Sequence, residues 1–150
     1  MNHKDHERII CVQAWICQFE KPTIKVLIDQ LEPEEKGIFN DLRRSLVKVL
    51  GVKPKLEWLG ISWRWCEVFS PDGGLLMGVH LIPDPQNPRV ALTLSAAFFE
   101  NTPPSQLPKC LTAGLSNATA IGHQAWSEWS IDTPEMVEAV IELVTLAYKG

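Results

Sequence analysis

The stretch Ser62-Trp63-Arg64-Trp65-Cys66-Glu67-Val68-Phe69-Ser70 decides how this chain is read. It alternates with a period of two, the pattern of a half-buried strand. Trp63, Trp65, Glu67 and Phe69 fall on one face; Ser62, Arg64, Cys66 and Val68 fall on the other. Pro71-Asp72-Gly73-Gly74 follows as a hairpin turn, which makes Leu75 to Ile82 the partner strand. Pro83 to Pro88, carrying three prolines and Asn87, is a longer connection, and Arg89 to Ala97 is a third strand. Upstream, Leu56 to Gly60 is a strand or the approach to one. Downstream, Thr119 to Ile131 looks extended, with Gly122 a candidate bulge. The simplest assembly is an antiparallel meander of three or four strands.

On either side of the meander the period changes to that of a helix. Thr23 is placed to cap a short helix through Leu31, with Ile24, Leu27, Ile28 and Leu31 on one side. Pro33 suits the first turn of a second helix. Glu34 and Glu35 sit at its positive end and Arg43, Arg44 and Lys48 come later, as the helix dipole favours. Phe39, Leu42, Leu46, Val49 and Leu50 form its apolar stripe, and Gly51 is a natural stop. After a break at Phe98 to Pro104, Ser105 to Leu115 reads as a short helix or irregular cover. The closing helix has Asp132 and Glu135 at capping-box-like spacing, Pro134 in its first turn, and Val137, Val140, Ile141, Val144 and Tyr148 on one stripe. The fold class expected is α+β: an antiparallel meander of about four strands packed by N-terminal helices and a C-terminal helix, in one domain over residues 1–150.

Bulk properties narrow the function classes. A chain of 150 residues buries roughly 68–70% of its unfolded surface, so it needs no disulfide or metal to hold a fold. With 14 basic against 18 acidic residues, net charge is −4. Nucleic-acid binding needs clustered Lys and Arg, and no such footprint is present, so no nucleic-acid partner is expected. The apolar run Ile9 to Phe19 is shorter than the ~20 residues that span a bilayer. It also lacks the basic lead and cleavage site of a signal peptide, since Asp5 and Glu7 precede it and Gln13 interrupts it. No membrane partner is expected, and a cytoplasmic location with reduced thiols at Cys11, Cys17, Cys66 and Cys110 follows. In that setting Asn117-Ala118-Thr119 is an accidental match to a glycosylation acceptor. Ile9 to Phe19 itself suits a helix face, a core strand, or a homodimer contact.

The chain resembles the YdhG-like group of small bacterial α+β domains, and within it a sister family opening on Lys-Pro-Thr with tryptophan-rich first strands. The residues behind this are Lys21-Pro22-Thr23, Glu57-Trp58, Trp63-Arg64-Trp65-Cys66, and Trp126 or Trp129 ahead of the closing helix. Most such families have no assigned activity. The resemblance implies one specific alternative, a frataxin-like iron carrier built on an acidic ridge. Glu32, Glu34 and Glu35 are the acids that cluster here, and the helix dipole accounts for them. No ligand position transfers from the family.

Candidate chemistry centres on the six tryptophans. An indole offers a large apolar area and one donor, which suits ligand sites and interfaces as well as cores. Trp63, Trp65, Trp126 and Trp129, with Glu67, His80 or Glu128, are the candidate walls of a cup for a planar or cationic small-molecule ligand. A small enzyme is the alternative. Cys66 lies near Arg64 and, depending on register, near His80, and a Cys–His pair would support nucleophilic chemistry. Glu67 or Glu128 in an aromatic setting could serve as a general acid. Against these stands the plain reading that Cys66 is a small core hydrophobe and that Glu67 and Glu128 lie on a solvated face or pair with Arg64 or Arg89. Spacing argues against a zinc site, since there is no Cys-x-x-Cys or His-x-x-x-His pair, and His3 and His6 lie at the extreme N-terminus. No serine-hydrolase elbow or phosphate-binding loop is present, and no cofactor is expected.

Overall fold

The structure is a computed structural model that describes residues 14–71, 78–121 and 124–149. Helix α1 (Ile24–Asp29) starts where Thr23 accepts a hydrogen bond from the Val26 amide through its hydroxyl, 3.3 Å. Helix α2 (Pro33–Leu50) opens on Pro33 and ends at Gly51, whose φ of 66° is the left-handed turn that glycine adopts without steric cost. Its buried face is Ile38, Phe39, Leu42 and Leu46, with Val49 and Leu50 packed beside them. Strand β1 (Lys55–Trp58) leads into a single helical turn, α3 (Gly60–Trp63), and then strand β2 (Trp65–Phe69). Strands β3 (Val79–Ile82) and β4 (Arg89–Ser95) follow, then α4 (Ala96–Asn101), capped by the Ser95 hydroxyl. Two 3-10 turns lead to α5 (Thr112–Ser116), the hairpin of β5 (Thr119–Ile121) and β6 (Gln124–Ser130), and the closing helix α6 (Pro134–Lys149).

The α+β class holds. The sheet, however, has six strands in the order β1-β2-β3-β4-β6-β5, every pairing antiparallel. Two expectations account for the difference. The extended segment 119–131 is two strands of a hairpin, and the region read as Leu56 to Gly60 supplies an edge strand over Lys55–Trp58. Gly122, the candidate bulge, lies outside the described residues, as do most of the Pro71–Gly74 turn, Leu75 to Met77, and Ile9 to Gln13 of the apolar N-terminal run. Of that run, Ala14–Ile16 forms a 3-10 turn in which Trp15 is buried while Ile16 and Phe19 are exposed.

Register assigns the two faces. Glu67 pairs with Leu81, Phe69 with Val79, and Val90 with Trp129, and these side chains share the face covered by α2 and α6. Phe39, Leu42, Leu46, Val140, Leu143 and Val144 fill the space between them. On the opposite face the register aligns Val68, His80, Ala91 and Glu128 across four strands. The closing helix takes its cap from Thr133, which accepts the Met136 amide at 3.2 Å; the spacing of Asp132 and Glu135 suggested Asp132. Among the described residues no helix is long and apolar enough to cross a membrane.

Candidate functional site

The single turn α3 is what creates the site. Trp63 was expected on a strand face with Trp65 and Glu67; it lies instead in this helical turn. Gly60 enters it at φ 89°, and the Arg64 amide closes it on the Gly60 carbonyl at 2.7 Å. Arg64 leaves it at φ 52°, ψ −130°, the one non-glycine with positive φ among the described residues. That left-handed step costs of order 1–3 kcal/mol and breaks the two-residue alternation. Glu67 then lies under α2, Trp65 joins Trp15, Leu27, Cys66, Ile82 and Ala91 in a second apolar cluster, and Trp63 packs on the outside of that cluster.

The two tryptophans have different partners. Trp65 is buried, and its Nε1 donates to the Cys17 carbonyl at 2.8 Å while Trp15 Nε1 donates to the Trp65 carbonyl at 3.0 Å. This reciprocal pair staples the segment at Trp15–Cys17 onto β2, and the Arg64 guanidinium lies over the Trp15 ring at 5.4 Å. Trp63 instead packs against His80 (centroids 5.2 Å apart) and Trp126 (4.9 Å), and His80 and Trp126 are themselves 4.9 Å apart. Its Nε1 donates to Glu128 at 3.3 Å.

An arginine ties these pieces together. Arg89 Nη1 donates to Glu128 Oε1 at 2.9 Å, and its Nη2 reaches the Ser62 carbonyl at 3.3 Å and Asp84 at 3.5 Å. The α3 turn, β4 and β6 are thereby held in one arrangement, and the Glu128 charge is answered locally. Beside them opens a groove of about 980 Å³. Trp58, Trp63, Trp126 and Trp129 line it with His80, Ser127 and Glu128, and α5 closes the far side with Ala113, Gly114 and Asn117. The Ser127 hydroxyl is buried at the groove without a hydrogen-bond partner among the described residues.

Trp129 and Gly114 depend on each other. Trp129 Nε1 donates to the Leu111 carbonyl at 3.0 Å, passing beneath α5. A Cβ at position 114 would lie 2.2 Å from that nitrogen, so only glycine lets helix and indole come this close.

Of the six residues expected at a ligand site, Trp63, His80, Trp126 and Trp129 line one groove. Trp65 and Glu67 do not. The Glu67 carboxylate lies under α2, where Arg43 donates Nε to Oε1 at 2.5 Å and Nη2 to Oε2 at 2.9 Å. This bidentate pairing is the bland alternative foreseen for a carboxylate near tryptophan, with Arg43 as the partner in place of Arg64 or Arg89. Trp58, Gly114, Asn117 and Ser127 were missed. Trp58 was read as part of a strand approach and of the family resemblance, Gly114 as cover, and Asn117 as an accidental glycosylation match.

Cys66, the nucleophile of the enzyme alternative, is fully buried. Register sets Cys66 across from Glu57 and His80 across from Val68. Burial, reinforced by the Glu57 charge and only partly offset by Arg89, pushes the Cys66 thiol up to about 12. A thiolate nucleophile requires the opposite displacement. Cys17, Cys66 and Cys110 are all unbridged. Glu32, Glu34 and Glu35 line a shallow hollow with Asp132, but among the described residues no group of three or more His, Cys, Asp or Glu is arranged to hold a metal ion.

No family model matches this chain, and no curated protein or solved structure matches it.

Proposed function

We propose that this chain is a ligand-binding domain whose site is the tryptophan-lined groove beside β6. The observation that carries this reading is convergence. Four of the six tryptophans, coming from β1, α3 and β6, line one groove together with a buried, unpartnered serine hydroxyl. Trp58, Trp63 and Trp126 are only partly buried and Trp129 forms a buried base; sites of roughly 300–1,000 Å³ lined by aromatics with a few polar groups are the usual form of small-ligand pockets.

The geometry favours a planar, largely neutral ligand over a cation. A cage for an ammonium group needs rings standing apart around a gap. Trp63, His80 and Trp126 stand within 5.2 Å of one another, centroid to centroid, in tilted and edge-to-face contact, and so leave no gap for a cation between the rings. The one carboxylate at the rim, Glu128, is already paired with Arg89. Tryptophan fluorescence provides the test. A library of planar heteroaromatic compounds is expected to contain ligands that quench or shift the emission, and Trp126→Ala is expected to abolish that response. A screen in which no compound alters emission or melting temperature would overturn the reading.

A further inference from the structure

The lining of the groove includes Trp126, Ser127, Glu128 and Trp129, four consecutive residues of one strand. Successive strand side chains point to opposite faces, so a cavity touching all four must run along the strand's edge. That edge is open here. Strand β6 pairs with β4 over its whole length but with β5 only from Gln124 to Trp126. The next rung would join Glu128 to Asn117. However, the Asn117 amide is already bound to the Ala113 carbonyl at 3.1 Å, and the Ala118 amide to the Leu115 carbonyl at 3.3 Å. The end of α5 therefore draws the chain off the sheet one rung early.

The direction of the exposed groups follows from the hydrogen-bond pattern. The Ile131 amide donates to the Pro88 carbonyl at 2.8 Å, and on the other side of β4 the Thr93 amide donates to the Gly78 carbonyl at 3.1 Å. In an antiparallel ladder, residues of one parity direct both N–H and C=O to the same neighbour. Trp129 and Ser127 therefore bond toward β4, and Glu128 directs its N–H and C=O outward along the groove. Among the described residues neither group has a backbone partner there. Ser130 shares that direction but lies outside the groove lining.

Building on the proposed binding role, we infer that the groove takes an extended peptide, which adds a short strand to β6 at Glu128. A peptide main chain is the complement of an open rung, since it supplies an acceptor for the N–H and a donor for the C=O side by side. From Ser127 to Trp129 the open edge is about 7 Å long at roughly 3.4 Å per residue, enough to face about three residues. On such a peptide, alternate side chains face opposite ways. One set meets the wall of Trp63 and Trp126; the other meets Trp129, Gly114 and the unpartnered Ser127 hydroxyl. An aromatic or apolar residue suits the first wall and a small polar residue the second.

The experiment uses the full chain with a positional library of N-acetylated, C-amidated tetrapeptides, alongside indole as a side-chain-only probe. Binding is followed by tryptophan fluorescence, and amide hydrogen exchange is read at Glu128. Peptide pools with an aromatic residue are expected to bind and to slow exchange of the Glu128 amide. Backbone N-methylation at the paired peptide nitrogen is expected to weaken binding about tenfold, the effect of leaving one carbonyl unpaired. Because this modification is made on the peptide, the fold is not disturbed. Indole binding without any peptide pool protecting Glu128 would overturn the peptide inference and leave the ligand-binding reading standing. Equal affinity of N-methylated and unmodified peptides would do the same. Failure of indole and of every peptide pool to bind would overturn both.

Discussion

Trp63 and Trp65 stand two residues apart, beside one apolar cluster, and differ in how far neighbouring segments cover them. Trp65 lies buried on the strand, its indole nitrogen satisfied by Cys17. Trp63 rides on a helical turn, lines a groove, and makes its one indole hydrogen bond to a surface carboxylate, Glu128. The same contrast separates the two faces of the sheet. The face under α2 and α6 closes its polar groups in pairs, as Arg43 does for Glu67 and as the Tyr148 hydroxyl does by donating to the Thr93 carbonyl. The other side leaves the aromatic surface of Trp63 and Trp126 on the groove, while Ser127, on the same side of β6 as Trp129, keeps a buried hydroxyl without a partner among the described residues. Side-chain chemistry is therefore a poor guide to role here; what distinguishes the two indoles is whether neighbouring segments come in to cover them.

Substitutions can sharpen or break this contrast. Trp65→Ala is expected to have the largest effect, a loss of about 3–5 kcal/mol in urea unfolding, because it opens a cavity and frees the Trp15–Cys17 segment. Arg43→Ala comes next, at about 3 kcal/mol, since it strands the Glu67 carboxylate in a side chain only 5% exposed. The double variant Arg43→Met, Glu67→Leu should recover most of that loss, because it removes both charges together. Gly114→Ala should cost about 1–3 kcal/mol and shift tryptophan emission as Trp129 is pushed from Leu111. Trp63→Phe should stay within about 1 kcal/mol of the parent while altering any ligand response. If Trp63→Phe destabilised as much as Trp65→Ala, the distinction between staple and groove wall would fail.

The subtlest expected effect is one of pH. The folded thiol of Cys66 sits near 12 against an ordinary 9.0, with burial the leading cause. Between these values the unfolded chain ionises and the folded one does not, so the unfolded state holds fewer protons. Stability is unaffected by this group below pH 9 and falls as pH rises from 9 toward 12, by about 1.4 kcal/mol per unit. Burial raises the Tyr148 hydroxyl as well, which adds to the same alkaline decline. Urea titrations across that range should show a shallower decline for Cys66→Ala. An unchanged slope would mean that the thiol is not shielded as its burial implies.

Periodicity made most of the framework readable. Phe39, Leu42 and Leu46 recur at helical spacing, and they are the face that α2 buries. Thr23 and Gly51 announce helix ends because a hydroxyl acceptor and a left-handed backbone are local needs, met by the residue itself. The six-stranded count was harder to read. Two paired strands over residues 119–130 and one long extended segment share the same alternation, and Gly122 is the only signal in the sequence between them. The site was half legible: Trp63, His80, Trp126 and Trp129 were named as wall residues, whereas Trp65 and Glu67 were assigned to the wrong surroundings. The break at Arg64 explains why. Nothing in Trp63-Arg64-Trp65 reports that an arginine will take a positive φ.

The sequence by itself determined where the two long helices α2 and α6 begin, where α2 stops, which face of each is apolar, and that the middle of the chain forms antiparallel strands. Those are short-range matters, decided by residues within a turn or two of one another. Tertiary structure alone decided which tryptophans are covered, that Arg43 reaches Glu67 across 24 positions, and that α5 draws the chain away from β6 one rung before the strand ends. These depend on packing between segments distant in the chain, where the register and the order of strands choose among arrangements that local pattern leaves equally open.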